Sequence, residues 1–423
     1  MEFNPFALII IVALVTDYAL NRISDFLNLR HITETIPEEF RDVYDGERYQ
    51  KSQEYLKANT RFGIVSSSFS LAFLLLFWWA GGFVYLDRLI ESFLPGGWAQ
   101  NTIVAGLCYF GALMVLKSLL SLPLSIYSTF VIEERFGFNK TTVKTFVTDI
   151  LKGLSLAIII GGPLMAAILA IFEYGGRYAW LYCWAVAAAF SLLLQFIAPR
   201  WIFPLFNKFT PLEDGELKQA IEDYAEKVNF PLEGVYVMDG SRRSTKSNAF
   251  LAGLGNNKKI ALFDTLIEKH TVPELLVVLA HEIGHHKKKH VHKSIAISIL
   301  HMGVLFYLLS LFLNSAPLYE AFGFSGSHMP IYAGFVFFGL LYSPIELVLS
   351  ILLNAFSRHN EREADIFAVE TTGRPEEFAD ALKKLSRDNL SNLTPHPFTV
   401  LLHYSHPPVL WRVRAMRSMA GKS

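Results

Sequence analysis

The sequence predicts a mainly α-helical membrane protein of seven transmembrane spans carrying a small soluble α/β insert. Three observations lead there. Of its 423 residues, 52% are hydrophobic and only 18% are charged, whereas soluble proteins carry about 25% charged residues. Long apolar runs recur seven times along the chain. Between the fifth and sixth runs, polar strand-like and helix-like patterns take over and end in His281-Glu282-Ile283-Gly284-His285.

The first run, Phe6–Leu20, is apolar except for Asp17. No basic segment precedes it and no small-residue cleavage site follows, which favours a retained span over a signal peptide. Phe62–Leu86 is uncharged and long enough to cross a hydrocarbon core of about 30 Å. Thr102–Ile132, with Lys117 and Pro123 inside it, reads as a single kinked or tilted span. Gly153–Phe172, Tyr178–Pro199, Ser294–Tyr319 (containing His301) and Ile331–Ser357 (containing Glu346) complete the set. The expected organisation is spans one to five over 1–199, a catalytic insert over 200–293, spans six and seven over 294–357, and a C-terminal cytosolic segment over 358–423.

Lys and Arg set the orientation. The first connection carries seven basic residues from Arg22 to Arg61, the second only Arg88, and the third Arg135, Lys140, Lys144 and Lys152. The fourth has Arg177 alone, residues 320–330 have none, and the fifth connection and C-terminal tail are rich in both. Alternate basic loops place the N-terminus outside and the C-terminus in the cytoplasm, so the soluble insert is cytosolic. Whether the membrane is a bacterial inner membrane or the endoplasmic reticulum depends on the organism. Formal net charge is zero, which gives no basis for nucleic-acid binding. Cys108 and Cys183 both lie in apolar runs, which implies neither a disulfide framework nor a cysteine metal site.

Within the insert, Gly215–Val228 has helical periodicity, with Leu217, Ile221, Tyr224 and Val228 on one face. Val235–Met238 reads as a strand, and Ser247–Leu254 and Lys258–Phe263 flank a Gly255-Asn256-Asn257 hairpin turn. These strands either offer an edge on which an extended peptide pairs or only cover the helix that follows. That helix begins at Thr271, with Glu274 completing a capping box and Pro273 in the first turn.

Residues four apart share a helix face, so His281 and His285 can bind one ion, for which zinc is the natural candidate. Glu282, rotated by roughly 60–100°, can reach water at the metal as general base. The segment His286 to Lys293 reads as a basic membrane flank rather than as extra ligands. The missing ligand is expected beyond the seventh span, where Glu361 and Asp365 share a face. Glu361 would ligate and Asp365 would hold a ligating His, while Glu363 points away from Glu361 and reads as surface. A cluster at His403-Tyr404-Ser405-His406-Pro407-Pro408 supplies a His or Tyr able to donate to an oxyanion, although a capped turn before a short basic helix would use the same residues.

Two other architectures fit less well. An intramembrane protease of the site-2 type would bury the motif mid-span, but here three lysines follow it closely. A channel or transporter with structural zinc would not need Glu282, and its site would be closed by a fourth protein ligand.

Together with Ile132 to Asn139, Ser247 to Phe250 and Leu262 to Leu266, these motifs resemble the type I CAAX prenyl proteases, integral-membrane zinc metallopeptidases. The resemblance implies seven tilted helices around a large water-filled chamber, capped on the cytosolic side by a zincin-type domain. It implies one Zn2+ per chain on His281, His285 and Glu361, Glu282 as general base, and Asp365 behind the ligands. Asn248 and Ala249 would lie on a substrate-binding edge strand, and His406 and Arg412 would contact substrate or transition state. The implied substrates are peptides or proteins, C-terminally prenylated at a CAAX sequence, met at the lipid bilayer. In a prokaryote, a broad-specificity quality-control protease for membrane proteins would be the better reading. Asp17, Lys117, His301 and Glu346 suit either a wet interior or pairing between helices. His359-Asn360 stands where the family pattern has an aromatic residue, which bears on substrate preference rather than on the catalytic positions.

Overall fold

Seven helices long and apolar enough to cross a membrane occur among the described residues of the computed structural model, which are 4–98, 100–253, 258–325 and 327–420. They are α1 (Pro5–Arg30), α2 (Gly46–Trp79), α4 (Thr102–Glu133), α5 (Val143–Tyr174), α6 (Gly176–Phe206), α9 (His290–Phe312) and α10 (Ile331–Thr372). The number matches the hydropathy reading, but several ends do not. Apolar length marks only the part of a helix inside lipid, and nothing stops a helix from continuing into water while caps and propensity allow.

Thus α2 starts well before its apolar run, where the Asp45 carboxylate accepts the Arg48 N–H at 2.6 Å. It stops at Trp79 rather than Leu86, because Gly81 adopts a left-handed conformation (φ +73°). A separate helix, α3 (Gly82–Phe93), follows. The sixth span likewise ends at Phe312 rather than Tyr319, and a short helix over Ala316–Glu320 follows it. The seventh continues unbroken to Thr372 and ends where Gly373 adopts φ +67°. This overrun carries Glu361 and Asp365 beyond the apolar run on the same continuous helix.

Only 6–17% of the residues in the most apolar stretch of each span are buried. Most of each span therefore faces either lipid or the space between helices. His301 Nε2 lies 3.0 Å from the Tyr342 hydroxyl and 3.6 Å from Glu346, a pairing between α9 and α10, whereas Asp17 and Lys117 are exposed.

The insert forms a four-stranded sheet of order β1-β2-β4-β3: β1 (Phe209–Pro211), β2 (Leu232–Met238), β3 (Ala249–Ala252) and β4 (Lys258–Phe263). Its helix α7 (Glu216–Lys227) lies between β1 and β2 in the chain. Strands β3 and β4 pair antiparallel as a hairpin does, but the turn Gly255-Asn256-Asn257 lies outside the described residues. β3 is a sheet edge.

The motif helix α8 (Val272–Lys287) has its capping box, with Glu274 accepting the Thr271 N–H at 3.0 Å. Lys384 Nζ reaches the same carboxylate at 2.6 Å, tying α8 to α11 (Pro375–Asp388). Leu275, Val277, Leu279, Ala280 and Ile283 are fully buried in a core shared with Ile221, Ile260, Leu262, Phe378 and Val413. Phe40, Tyr44 and Tyr49, from the connection between α1 and α2, belong to the same core. It therefore draws on three widely separated parts of the chain. Two further helices near the C-terminal end are α12 (Pro397–His403) and α13 (Val409–Ala420).

The approach of α8 to α10 is close at Gly284, where a β-carbon would lie 3.2 Å from the Ala364 backbone and 3.1 Å from the Phe367 ring. Gly284→Val should therefore push the helices apart, destabilising the protein by about 1–3 kcal/mol. Thermal unfolding read together with bound metal should show both quantities falling.

Candidate metal centre and active site

Helical spacing puts His281 and His285 on one face of α8, and the overrun of α10 brings Glu361 against them. One ligating atom from each of the three falls within a common 4.8 Å. His281 Nε2 is 3.2 Å from His285 Nε2 and 3.4 Å from Glu361 Oε2, and His285 Nε2 is 3.2 Å from Glu361 Oε1. Glu361 Oε2 is buried without a hydrogen-bond partner. A carboxylate oxygen with no donor, facing two imidazole nitrogens that face each other, suits a divalent cation with nitrogen and oxygen ligands.

Asp365, one turn beyond Glu361, places Oδ1 2.8 Å from His281 Nδ1. Its carboxylate accepts from Arg412 Nε at 2.8 Å and Nη2 at 2.6 Å, a bidentate clamp from α13. Asp365 accepts only, so His281 keeps a hydrogen on Nδ1, and Nε2 is the nitrogen left to ligate once a metal displaces its proton. Burial alone would depress the His281 pKa, but the adjacent Asp365 and Glu361 carboxylates prevail and raise it to about 9.

Glu282 borders both hollows that meet at this centre. One, of about 500 Å3, opens toward the spans and is lined by polar groups, among them Ser191, Gln195, Ser294, Ser298, Ser357 and Asn360. The other, of about 190 Å3, is lined by Asn248, Ala249 and Glu282 together with the apolar Leu266, Val278, Phe378, Leu382 and Leu385. Burial raises the Glu282 pKa above the usual carboxylate range, opposed by His281 and His285. His406, from the loop before α13, puts Nε2 3.2 Å from Glu361 Oε1 while its side chain stays 62% exposed. Partial desolvation by the surrounding protein lowers its pKa, and Glu361 works against that. Asn248 Oδ1 accepts the Ala249 N–H at 2.9 Å where β3 begins. The catalytic, ligand and substrate-contact residues expected from the sequence thus lie around one centre, with Asn248 and Ala249 lining the smaller hollow.

Sequence reasoning missed three features. The wall formed by Phe378, Leu382 and Leu385 was legible as the apolar stripe of an amphipathic helix. Arg412 was expected at the site as a substrate or transition-state contact, but its clamp on Asp365 had no local motif and shows only in the fold. Glu363 and His290, read as surface and basic flank, instead meet each other: His290 is buried and its Nε2 is 2.9 Å from Glu363 Oε2.

A multi-pass membrane protein carrying a peptidase site for a divalent metal is the class that this fold and site define. Comparison with known proteins agrees. Residues 25–208 match the model of the CAAX prenyl protease N-terminal region with five membrane helices, and residues 211–420 match peptidase family M48. CAAX prenyl protease 1 of Saccharomyces cerevisiae is 36% identical over 99% of this chain and 96% of its own length. The Homo sapiens CAAX prenyl protease 1 homolog is 34% identical over 92% of this chain and 90% of its own. The crystal structure of S. mikatae Ste24p superposes with a TM-score of 0.92 at 36% identity, covering 98% of this chain and all of that one. The chain belongs to the type I CAAX prenyl protease family within peptidase family M48. It is a multi-pass membrane metalloendopeptidase, which excludes the channel and transporter reading.

Because His281 holds a proton up to about pH 9 without metal, metal uptake at neutral pH must expel it. Calorimetry in buffers of different ionisation enthalpy should show about one proton released per metal at this group, with affinity rising as pH climbs toward 9.

Proposed function

We propose that the protein is a zinc endopeptidase that cuts near the C-terminus of prenylated CAAX proteins or peptides, with one Zn2+ held by His281, His285 and Glu361. The observation that carries this reading is a three-residue ligand set with a buried, unpartnered oxygen, opening beside a carboxylate that borders two hollows. Three protein ligands and an open fourth position are the pattern of catalytic rather than structural zinc. The names of the relatives supply the CAAX substrate class.

When bound, zinc supplies a Lewis acid that lets water ionise near neutral pH. Glu282 accepts the proton of the attacking water and returns it to the leaving amine, tasks that its raised pKa suits. His406 Nε2 lies 3.2 Å from Glu361 Oε1, and Arg412 Nη1 lies 3.9 Å from Glu361 Oε2. An exposed His406 ring can swing to donate to the oxyanion, while Arg412 fixes Asp365 and through it the orientation of His281. The free edge of β3 pairs with an extended substrate, presenting the scissile bond between Asn248–Ala249 and Glu282. The apolar hollow beyond takes an aliphatic side chain, as the residues after the CAAX cysteine provide. By its loop charges, the site faces the cytoplasm.

The experiment is cleavage of a farnesylated CAAX peptide by wild type and Glu282→Gln at matched zinc content. Wild type should cut and the variant should be slower by about 10²–10⁴-fold. If wild type ignores that peptide but cuts an unfolded membrane protein in a Glu282-dependent way, the quality-control reading replaces this one. Filling the apolar hollow with Leu382→Trp should lower kcat/KM about tenfold or more for a substrate with Ile or Leu after the cut, and less for Ala.

A further inference from the structure

The second imidazole of the metal site is held from behind by a pair of residues that the ligand set does not include. His285 turns Nε2 toward Glu361 and His281, and its other nitrogen, Nδ1, lies 3.2 Å from Nδ1 of His290. His290 is buried, and its Nε2 lies 2.9 Å from Glu363 Oε2. Lys293 Nζ and His359 Nε2 stand farther out, each 3.9 Å from the same carboxylate. His290 is on the far side of the His285 ring from the ligand centre, so it cannot share the ion.

The protonation pattern follows from donor and acceptor chemistry. An ionised carboxylate only accepts, so His290 carries its hydrogen on Nε2 and presents a lone pair at Nδ1. That lone pair faces His285 Nδ1, which must then donate. His285 Nε2 is left as a lone pair aimed at the centre. For His281, Asp365 achieves the same end in one step.

Backbone geometry independently favours a purposeful placement. Between α8 and α9 the chain turns through Lys289 at φ +60°, a left-handed conformation that a residue with a β-carbon adopts at a cost. This break turns the first residue of α9 back onto His285; a continuing helix would carry position 290 to another face. Strain of this kind persists only where surrounding structure holds it, often at a functional site.

We propose that Glu363 and His290 form a positioning relay that fixes the tautomer and orientation of His285 for metal binding. The inference rests on the zinc reading above and extends it to two residues outside the ligand set. Glu363 acts only through His290.

The test measures zinc affinity of the purified full-length protein by chelator competition, beside thermal unfolding of the metal-free form. The variants are His290→Ala, Glu363→Ala, their combination, Glu363→Gln and His285→Ala. Each relay alanine should weaken zinc affinity by about 10–100-fold. The double variant should be no weaker than His290→Ala alone, and Glu363→Gln, whose amide oxygen still accepts, should recover most of the loss. Zinc affinity unchanged in Glu363→Ala and His290→Ala, with His285→Ala losing zinc, overturns the relay and leaves the ligand set standing. A lowered unfolding temperature without a change in affinity assigns the pair a packing role and also overturns the proposal. If His285→Ala keeps wild-type affinity, the ligand set itself is wrong. Glu363 is partly exposed, so its variants keep the test decisive even where His290→Ala fails to fold.

Discussion

The site depends on the close approach of two helices at Gly284. One helix carries two imidazoles on a single face, and the other carries a carboxylate that must come within about 3 Å of both. Residues 281–285 and 361–365 are remote in sequence, so only packing can bring them together. A small residue in α8 permits the approach, where a β-carbon would meet the Ala364 backbone at 3.2 Å. The 42-residue length of α10 makes it rigid, since one helix both crosses the membrane and delivers Glu361. A flexible loop in that role would have to be ordered each time metal bound, an entropy cost that a continuous helix meets during folding.

Around the centre, Asp365 and His281 are held by neighbouring side chains and the reacting group is not. Asp365 receives a bidentate Arg412, and His281 is held by Asp365. Glu282, by contrast, borders two hollows and rests on burial and the charge of its neighbours. That division suits a metallopeptidase: ligands must not move, while a base must accept a proton and give it up. The two hollows also differ in kind. Polar serines and amides line the side facing the spans, and leucines with Phe378 line the side beneath the sheet edge.

Much of this was legible in the amino acids alone. Seven apolar runs show as seven spans because hydrocarbon thickness sets a length that sequence states directly. The motif, its capping box and the Glu361–Asp365 pair were visible because helical spacing is a local property. The ends of α2 and α9 were not, since hydropathy sees lipid contact and not hydrogen bonding, and Gly81 rather than polarity ends the second span. Glu363 was read as surface from its angle to Glu361 on one helix, which is right about direction but blind to His290 arriving from α9. Local periodicity assigns a face; only tertiary structure says what meets it.

Zinc K-edge absorption of the purified wild-type protein addresses the central claim most directly, because it reads the ligand set without assuming a substrate. The account predicts one zinc per chain with a shell of nitrogen and oxygen, two imidazoles contributing the outer-shell scattering. That imidazole signal should fall by half in His285→Ala. A closed shell with three imidazoles, or wild-type protein that holds no zinc, would contradict it.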